Sequence, residues 1–346
     1  MIITRTPFRI SFFGGGTDYP AWYQEHGGAV LGTTIDKYAY ITCRFLPPFF
    51  EHSHRVVYSR LEQVGSVDEI QHPAVRACLR YMGIEQGIEI HYDGDLPARA
   101  GMGSSSAFTV GLLNALYALR GRMASKMDLA REAIYVEQEV IAENVGSQDQ
   151  VMAAIGGFNR IDFYPDGRIQ PKPVILPKQR LEELESHFML FFTGTSRYAS
   201  DIAGEVVRVA KQGAPNLSMM RELVDEALSV LYAEEDITEF GKLLDETWQL
   251  KRRLTPSITT DVIDGLYDEA RRAGAIGGKL LGAGGGGFFL LFARPEDQPK
   301  IRERLHNVLH VPFAFENTGT DIIYYNSETH RQYERAVVPK AAPSLI

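Results

Sequence analysis

Residues 29–45 (AVLGTTIDKYAYITCRF) and 88–92 (IEIHY) alternate apolar and polar positions and end in turn formers, which predicts two strands. From Ser104 to Leu119 the alternation disappears. Ala107, Val110, Leu113, Leu116 and their neighbours are apolar on nearly every face, as in a fully buried helix. A second, glutamate-rich amphipathic helix is predicted over 127–143, and further strands over 158–163, 187–193, 288–293 and 321–325. Residues 198–273 read as helical, with the proline of RLTPSITTD breaking the run and its threonines capping the next helix. The polar, proline-bearing stretch 164–179 is the natural linker. A boundary near residue 176 then gives two domains, 1–176 and 177–346.

A length of 346 residues and 45% hydrophobic content supply two cores without metal or disulfide staples. Cys43 and Cys78 form no CxxC pair and are expected to be reduced packing residues, in keeping with a cytoplasmic protein. The opening MIITRTPFRISFF lacks the apolar run of a signal peptide, and no run approaches roughly 18 apolar residues. Net charge is −8, with both signs mixed along the chain, which argues against nucleic acid or an anionic membrane as partner. Any anionic ligand must be held by local devices.

The stretch LPARAGMGSSSAF (96–108) offers one. Ordered segments flank it, so it reads as a shaped loop rather than a linker. Glycines allow close approach of a ligand, and the serines opening the helix leave unpaired N–H groups at the positive end of its dipole, an arrangement suited to phosphate. Plain serine capping is the competing reading. The standard motifs do not fit: GAIGGKL departs from GxxxxGK[ST] at Ala273 and Leu280. Gly282, Gly284 and Gly287 satisfy GxGxxG, but a strand-like run follows where a helix is required. HRD, DFG and HExxH are absent, and EHSH (51–54) is expected to be a solvated loop.

Three stretches taken together, PFRISFFGGGTDYPAW (7–22), LPARAGMGSSSAF and GGKLLGAGGGGFFLLF (277–292), resemble the GHMP kinases, the superfamily of galactokinase, homoserine kinase and mevalonate kinase. The opening is most similar to bacterial heptose 7-phosphate kinases, and Gly15 and Gly16 stand where galactokinases carry Glu-His. The resemblance implies an α+β, two-domain fold, with an N-terminal S5-like α/β domain and a C-terminal ferredoxin-like domain. It also implies a sugar kinase using ATP and Mg²⁺, acting at the anomeric hydroxyl of a sugar phosphate. Fucose-type or phosphomevalonate kinases, and an inactive sensor, are the alternatives. ATP and a phosphorylated sugar are the implied partners, with a homodimer left open.

The resemblance also distributes roles. Gly101, Met102, Gly103, Ser104, Ser105 and Ser106 would wrap the nucleotide phosphates, joined by Gly284 and Gly285 unless those glycines serve packing alone. Ser105 and Glu137, twelve residues before Asp149, would hold Mg²⁺, leaving Glu139 and Glu143 as solvated charges. Asp149 matches the catalytic aspartate, either as base or as the group that holds the hydroxyl in line. Arg9 and Lys279 are the cations nearest the transferring phosphate, although Arg9 serves equally well as a structural partner of an aspartate. Asp18, with Gly15, Gly16 and Thr17, would bind the sugar. Thr195, Ser196 and Arg197 would take its distal phosphate, or simply cap a helix.

Overall fold

Strand pairing, rather than chain order, divides the molecule. The computed structural model describes residues 1–47, 49–194, 199–233 and 236–326. In the first sheet β1 (Ile2–Phe13) runs antiparallel to β2 (Gly28–Phe45), with Ile2 opposite Cys43 and Arg9 opposite Thr34. It continues through β3 (His54–Val57), β4 (Leu61–Val64) and β5 (Ile88–Gly94) in the order β1-β2-β5-β3-β4. The near half of β2 also pairs with β6 (Asn159–Phe163), which pairs with β7 (Ile169–Pro173). The second sheet holds β8 (Phe188–Phe192), β9 (Gly277–Leu280), β10 (Phe288–Phe292) and β11 (Leu309–His310) in the order β11-β8-β10-β9, every pairing antiparallel. Helices follow β8 and β10, giving the β-α-β-β-α-β plan of a ferredoxin-like domain.

The strand predicted over 321–325 forms, but in the other domain. After β12 (Phe315–Glu316) pairs with β2, β13 (Asp321–Tyr325) pairs with β1. Residues 177–346 therefore do not make one domain: the chain leaves the first sheet in the polar stretch that includes β7, and its tail returns. Linker composition marks the departure and carries no sign of the return.

The helix Ser104–Leu119 packs across β1 and β2. Its backbone comes close enough that Thr4 Oγ1 donates to Gly111 O (3.1 Å), and a Cβ on Gly111 would stand 2.7 Å from Thr6 Oγ1. Thr4 and Thr6 are fully buried, which is why β1 shows little apolar pattern. Cys43 and Cys78 are buried, and burial pushes the Cys43 thiol up to about 12, so both act as packing residues. His54 departs from the solvated-loop reading: it lies in β3, 1% exposed.

The second helix is α-helical only over Lys126–Tyr135; the next turn, Val136–Val140, widens to π geometry. Such single-turn bulges re-aim side chains. Here Glu137 turns fully inward while Glu139 stays exposed. No helix among the described residues is long and apolar enough to cross a membrane.

Candidate active site

The glycine-serine loop is built by close contact with the third glycine motif. Gly101 (φ 83°) and Gly103 (φ 73°) adopt left-handed geometry open to glycine, and a Cβ on Gly282 would lie 2.4 Å from Gly101 Cα. Phe288 N–H donates to Ala100 O (3.2 Å), and a Cβ on Gly287 would meet that oxygen at 2.3 Å. Gly284 and Gly285 turn elsewhere. Gly285 N–H donates to Ile258 O (2.9 Å), and a Cβ on Gly284 would strike Ile258 backbone. The motif's observed contacts are thus packing contacts, with Gly282 and Gly287 rather than Gly284 and Gly285 touching the loop.

Within the loop the serines divide the work. Ser104 Oγ accepts from Arg99 N–H (3.1 Å), Ser105 is exposed, and Ser106 is buried. Ala107 is the first residue of the helix whose amide finds an acceptor, Gly103 O at 2.9 Å. Among the described residues those of Gly103, Ser104, Ser105 and Ser106 have none, and no side chain caps the helix. Four amides at the positive end of a 16-residue helix are the raw material of an anion cradle.

Asp149 stands beside it, in the first turn of the helix Gln148–Ile155. Arg9 grips it bidentately, Nε to Oδ1 and Nη2 to Oδ2, both 2.7 Å, and its Nη1 donates to Gly101 O (2.7 Å). A Cβ on Gly103 would lie 3.1 Å from Arg9 Cγ and 3.3 Å from Asp149 Oδ2, so loop, guanidinium and carboxylate touch. Arg9 is therefore the structural partner of an aspartate. The Asp149 side chain, 24% exposed against 6% for Arg9, is the more open of the two.

Asp18 is 1% exposed. Its carboxylate accepts from Gly16 N–H (2.9 Å) and Gln148 N–H (3.3 Å), pinning the first motif to the turn before Asp149. Burial pushes its pKa up, and the Asp149 charge adds to the rise. Gly146 is required there, since a Cβ would fall 1.9 Å from Asp18 Oδ2. Thr17 is fully buried, its hydroxyl donating to Gly14 O (2.8 Å) and accepting from Ala29 N–H (3.1 Å), so its contacts are structural and none is left for a sugar. Thr195, Ser196 and Arg197 lie outside the described residues.

Glu137 is 0% exposed, and the structure joins it to Ser106 rather than Ser105: its carboxylate accepts from Ser106 Oγ (2.8 Å), Thr109 Oγ1 (2.7 Å) and Gln150 Nε2. Burial pushes its pKa up to about 7 against these hydrogen bonds. The carboxylate and the two hydroxyls against it, one of them from Ser106 whose own amide finds no acceptor among the described residues, are hard oxygen donors of the kind Mg²⁺ takes. Among the described residues no cluster of three acidic, His or Cys side chains offers a richer alternative.

Lys279 differs from its expected role. It is 3% exposed in β9, and its Nζ donates to Ser11 O (2.9 Å) and Phe12 O (2.8 Å), fastening the second sheet to β1 as a strut rather than reaching toward a phosphate. Burial, reinforced by Lys251 and Arg9, pulls its pKa far down. Sequence reasoning missed Lys251. In LKRRL it reads as one of several surface cations, yet it is 8% exposed and donates to Leu280 O (2.9 Å) and Gly282 O (2.6 Å), holding the glycine motif in place.

Burial pulls Lys251 down to about 7 from its ordinary 10.5. Between those values the unfolded chain keeps a proton the folded protein has released, so this residue makes stability rise with pH across that window. The destabilisation caused by Lys251→Met is therefore expected to be smaller near pH ~6.5 than near pH ~9 in urea unfolding, and a deficit independent of pH would contradict the assignment.

Helix amides without acceptors among the described residues, an ion-paired carboxylate touching the same loop and a buried carboxylate bonded to the same helix are the groups that phosphoryl transfer to a small molecule calls for. The chain matches the N-terminal domain of GHMP kinases over residues 69–157 and the C-terminal domain over 220–311, and it belongs to that superfamily of ATP-dependent kinases. It is 28% identical over 308 residues to a D-glycero-α-D-manno-heptose 7-phosphate kinase of Campylobacter jejuni, covering 85% of this chain and 90% of that protein. It is 27% identical to the bifunctional fucokinase/GDP-fucose pyrophosphorylase of Arabidopsis thaliana, covering 86% of this chain and 30% of that longer protein. A crystal structure of a D-glycero-D-manno-heptose 1-phosphate kinase from Bacteroides thetaiotaomicron shares the fold with a TM-score of 0.77, at 23% identity over 94% of this chain and all of that one.

Proposed function

We propose that the protein transfers the γ-phosphoryl group of ATP to the anomeric hydroxyl of a sugar phosphate, with D-glycero-D-manno-heptose 7-phosphate, the substrate in the name of its Campylobacter jejuni relative, as the acceptor. The observation that carries the reading is Asp149, clamped by Arg9 against a loop in which the amides of Gly103, Ser104, Ser105 and Ser106 find no acceptor among the described residues. In this reading the amides of Gly101, Met102, Gly103, Ser104, Ser105 and Ser106 receive the triphosphate. Asp149 then faces the incoming hydroxyl. Both its oxygens already accept from a guanidinium, so it acts first by holding the hydroxyl in line, and the proton leaves late, as a loose transition state permits. Asp18 bonds sugar hydroxyls with lone pairs its two amide donors leave over.

Glu137, with the hydroxyls of Ser105 and Ser106, would hold Mg²⁺, which when bound neutralises charge on the β and γ phosphates. Neither a membrane nor nucleic acid enters this scheme, and a cytoplasmic setting accords with reduced, buried cysteines.

The test is coupled ADP release across heptose 7-phosphate, fucose, galactose, mevalonate and phosphomevalonate, with phosphorus NMR locating the new ester. Turnover highest on heptose 7-phosphate with an anomeric ester is expected. Preference for mevalonate or phosphomevalonate would overturn the reading.

A further inference from the structure

Beside Gly15 stand two buried side chains that each keep a polar atom without a partner. Among the described residues Ser11 Oγ on β1 and Gln148 Oε1 find no hydrogen bond, in residues only 6% and 9% exposed. A Cβ on Gly15 would stand 3.5 Å from Ser11 Oγ and 3.7 Å from Gln148 Nε2, so the two side chains border one small space. Gly15 keeps that space open. Unlike Gly14 (φ 77°) and Gly16 (φ 103°), it is not in left-handed geometry, and the contacts of an added methyl would be ordinary. Neither backbone conformation nor packing demands glycine at this position; the gap it leaves is what distinguishes it.

The walls of the gap are held rigidly. The Ser11 carbonyl is fixed by Lys279 Nζ (2.9 Å), and Gln148 N–H is fixed by Asp18 (3.3 Å) immediately before the clamped Asp149. Buried hydroxyl and carboxamide groups rarely go unpartnered, because the loss of water is uncompensated. Two of them around one gap, between Asp18 and Asp149, match the few aimed polar groups that fix a ligand's orientation.

We propose that Ser11 and Gln148 are specificity-determining residues that read two hydroxyls of the acceptor besides the one phosphorylated, so that the site selects a polyol. The Ser11 hydroxyl both donates and accepts, and the Gln148 carboxamide presents a carbonyl or an NH₂ to the second hydroxyl. This rests on the kinase reading above and gives a role to two residues, one inside the first motif and one beside Asp149, to which the resemblance gave none.

Steady-state kinetics of the wild type, Ser11→Ala, Gln148→Leu and Gly15→Ala, with heptose 7-phosphate and its monodeoxy analogues, decide it. Ser11→Ala and Gln148→Leu are each expected to raise KM for the sugar about tenfold, the loss of one neutral hydrogen bond, with the KM for ATP unchanged. One deoxy analogue should lose about tenfold with the wild type and nothing further with Ser11→Ala, since the same bond is removed twice. Gly15→Ala should fill the gap and raise the sugar KM at an unaltered melting temperature. Additive losses for every analogue, equal changes in the KM for ATP, or a Gly15→Ala enzyme with wild-type KM would overturn the subsite. If the wild type prefers a different sugar, the heptose reading fails and the same cycle on that sugar still decides the subsite. Preference for mevalonate, which lacks the second hydroxyl, overturns both.

Discussion

Asp149→Asn is expected to lower kcat by about three orders of magnitude while leaving the affinity for ATP within about twofold, because orientation and charge at the reacting hydroxyl are lost and the phosphate cradle is not. Asparagine keeps the shape of aspartate but replaces one acceptor oxygen by an NH₂ donor. Arg9 then faces a donor where it now has two acceptors at 2.7 Å, and the carboxamide flips or withdraws. Arg9 also holds Gly101 O, so Arg9→Lys, which cannot fork, is a useful contrast: it disturbs the loop and should weaken ATP as well as kcat. Stopped-flow nucleotide binding with single-turnover kinetics separates the two. An Asp149→Asn enzyme with near wild-type kcat would remove Asp149 from the chemistry.

Gly282→Ala should cost both stability and nucleotide binding. The residue has φ 73°, and its new Cβ would fall 2.4 Å from Gly101 Cα and 3.2 Å from Gly101 C, so the added atom collides with backbone that has no rotamer to move. Left-handed strain and overpacking together are worth about 2–4 kcal/mol. The loop must shift by a fraction of an ångström or more, and misplacement on that scale costs about a hundredfold in kcat/KM for ATP. Gly265→Ala is the control. It lies on an exposed face of the helix Asp261–Arg272, where an added methyl meets nothing, and should stabilise the protein by up to about 1 kcal/mol with unchanged kinetics. Equal behaviour of the two variants in thermal denaturation and ATP kinetics would contradict the claim that the third motif props the loop.

The sequence disclosed its local features well. The helix from Ser104 to Leu119 was legible because burial on every face removes polar positions from the pattern, and the observed element has those bounds. Glu137 is singled out in the sequence only by the spacing from Asp149 that the resemblance implies. Nothing local showed that a π turn would rotate it inward, or that Ser106, one residue beyond the expected Ser105, would meet it.

Residues whose role depends on distant backbone were illegible. Lys279 and Lys251 are charged side chains that read as solvent-facing or phosphate-facing, and each instead satisfies two carbonyls far away in the chain. Thr17 and the polar positions of β1 were hidden likewise, since a buried threonine with a backbone partner looks, in sequence, like an exposed one. Ser11 lies inside the first of the three stretches and Gln148 directly before Asp149, yet the sequence attaches no role to either. Only their missing partners single them out.

The most direct measurement is a crystal structure with Mg²⁺ and a non-hydrolysable ATP analogue. The account predicts the β and γ phosphates within hydrogen-bonding distance of the Gly103, Ser104, Ser105 and Ser106 amides, with the metal between them and Glu137. A nucleotide bound elsewhere, with those four amides still lacking acceptors, would contradict it.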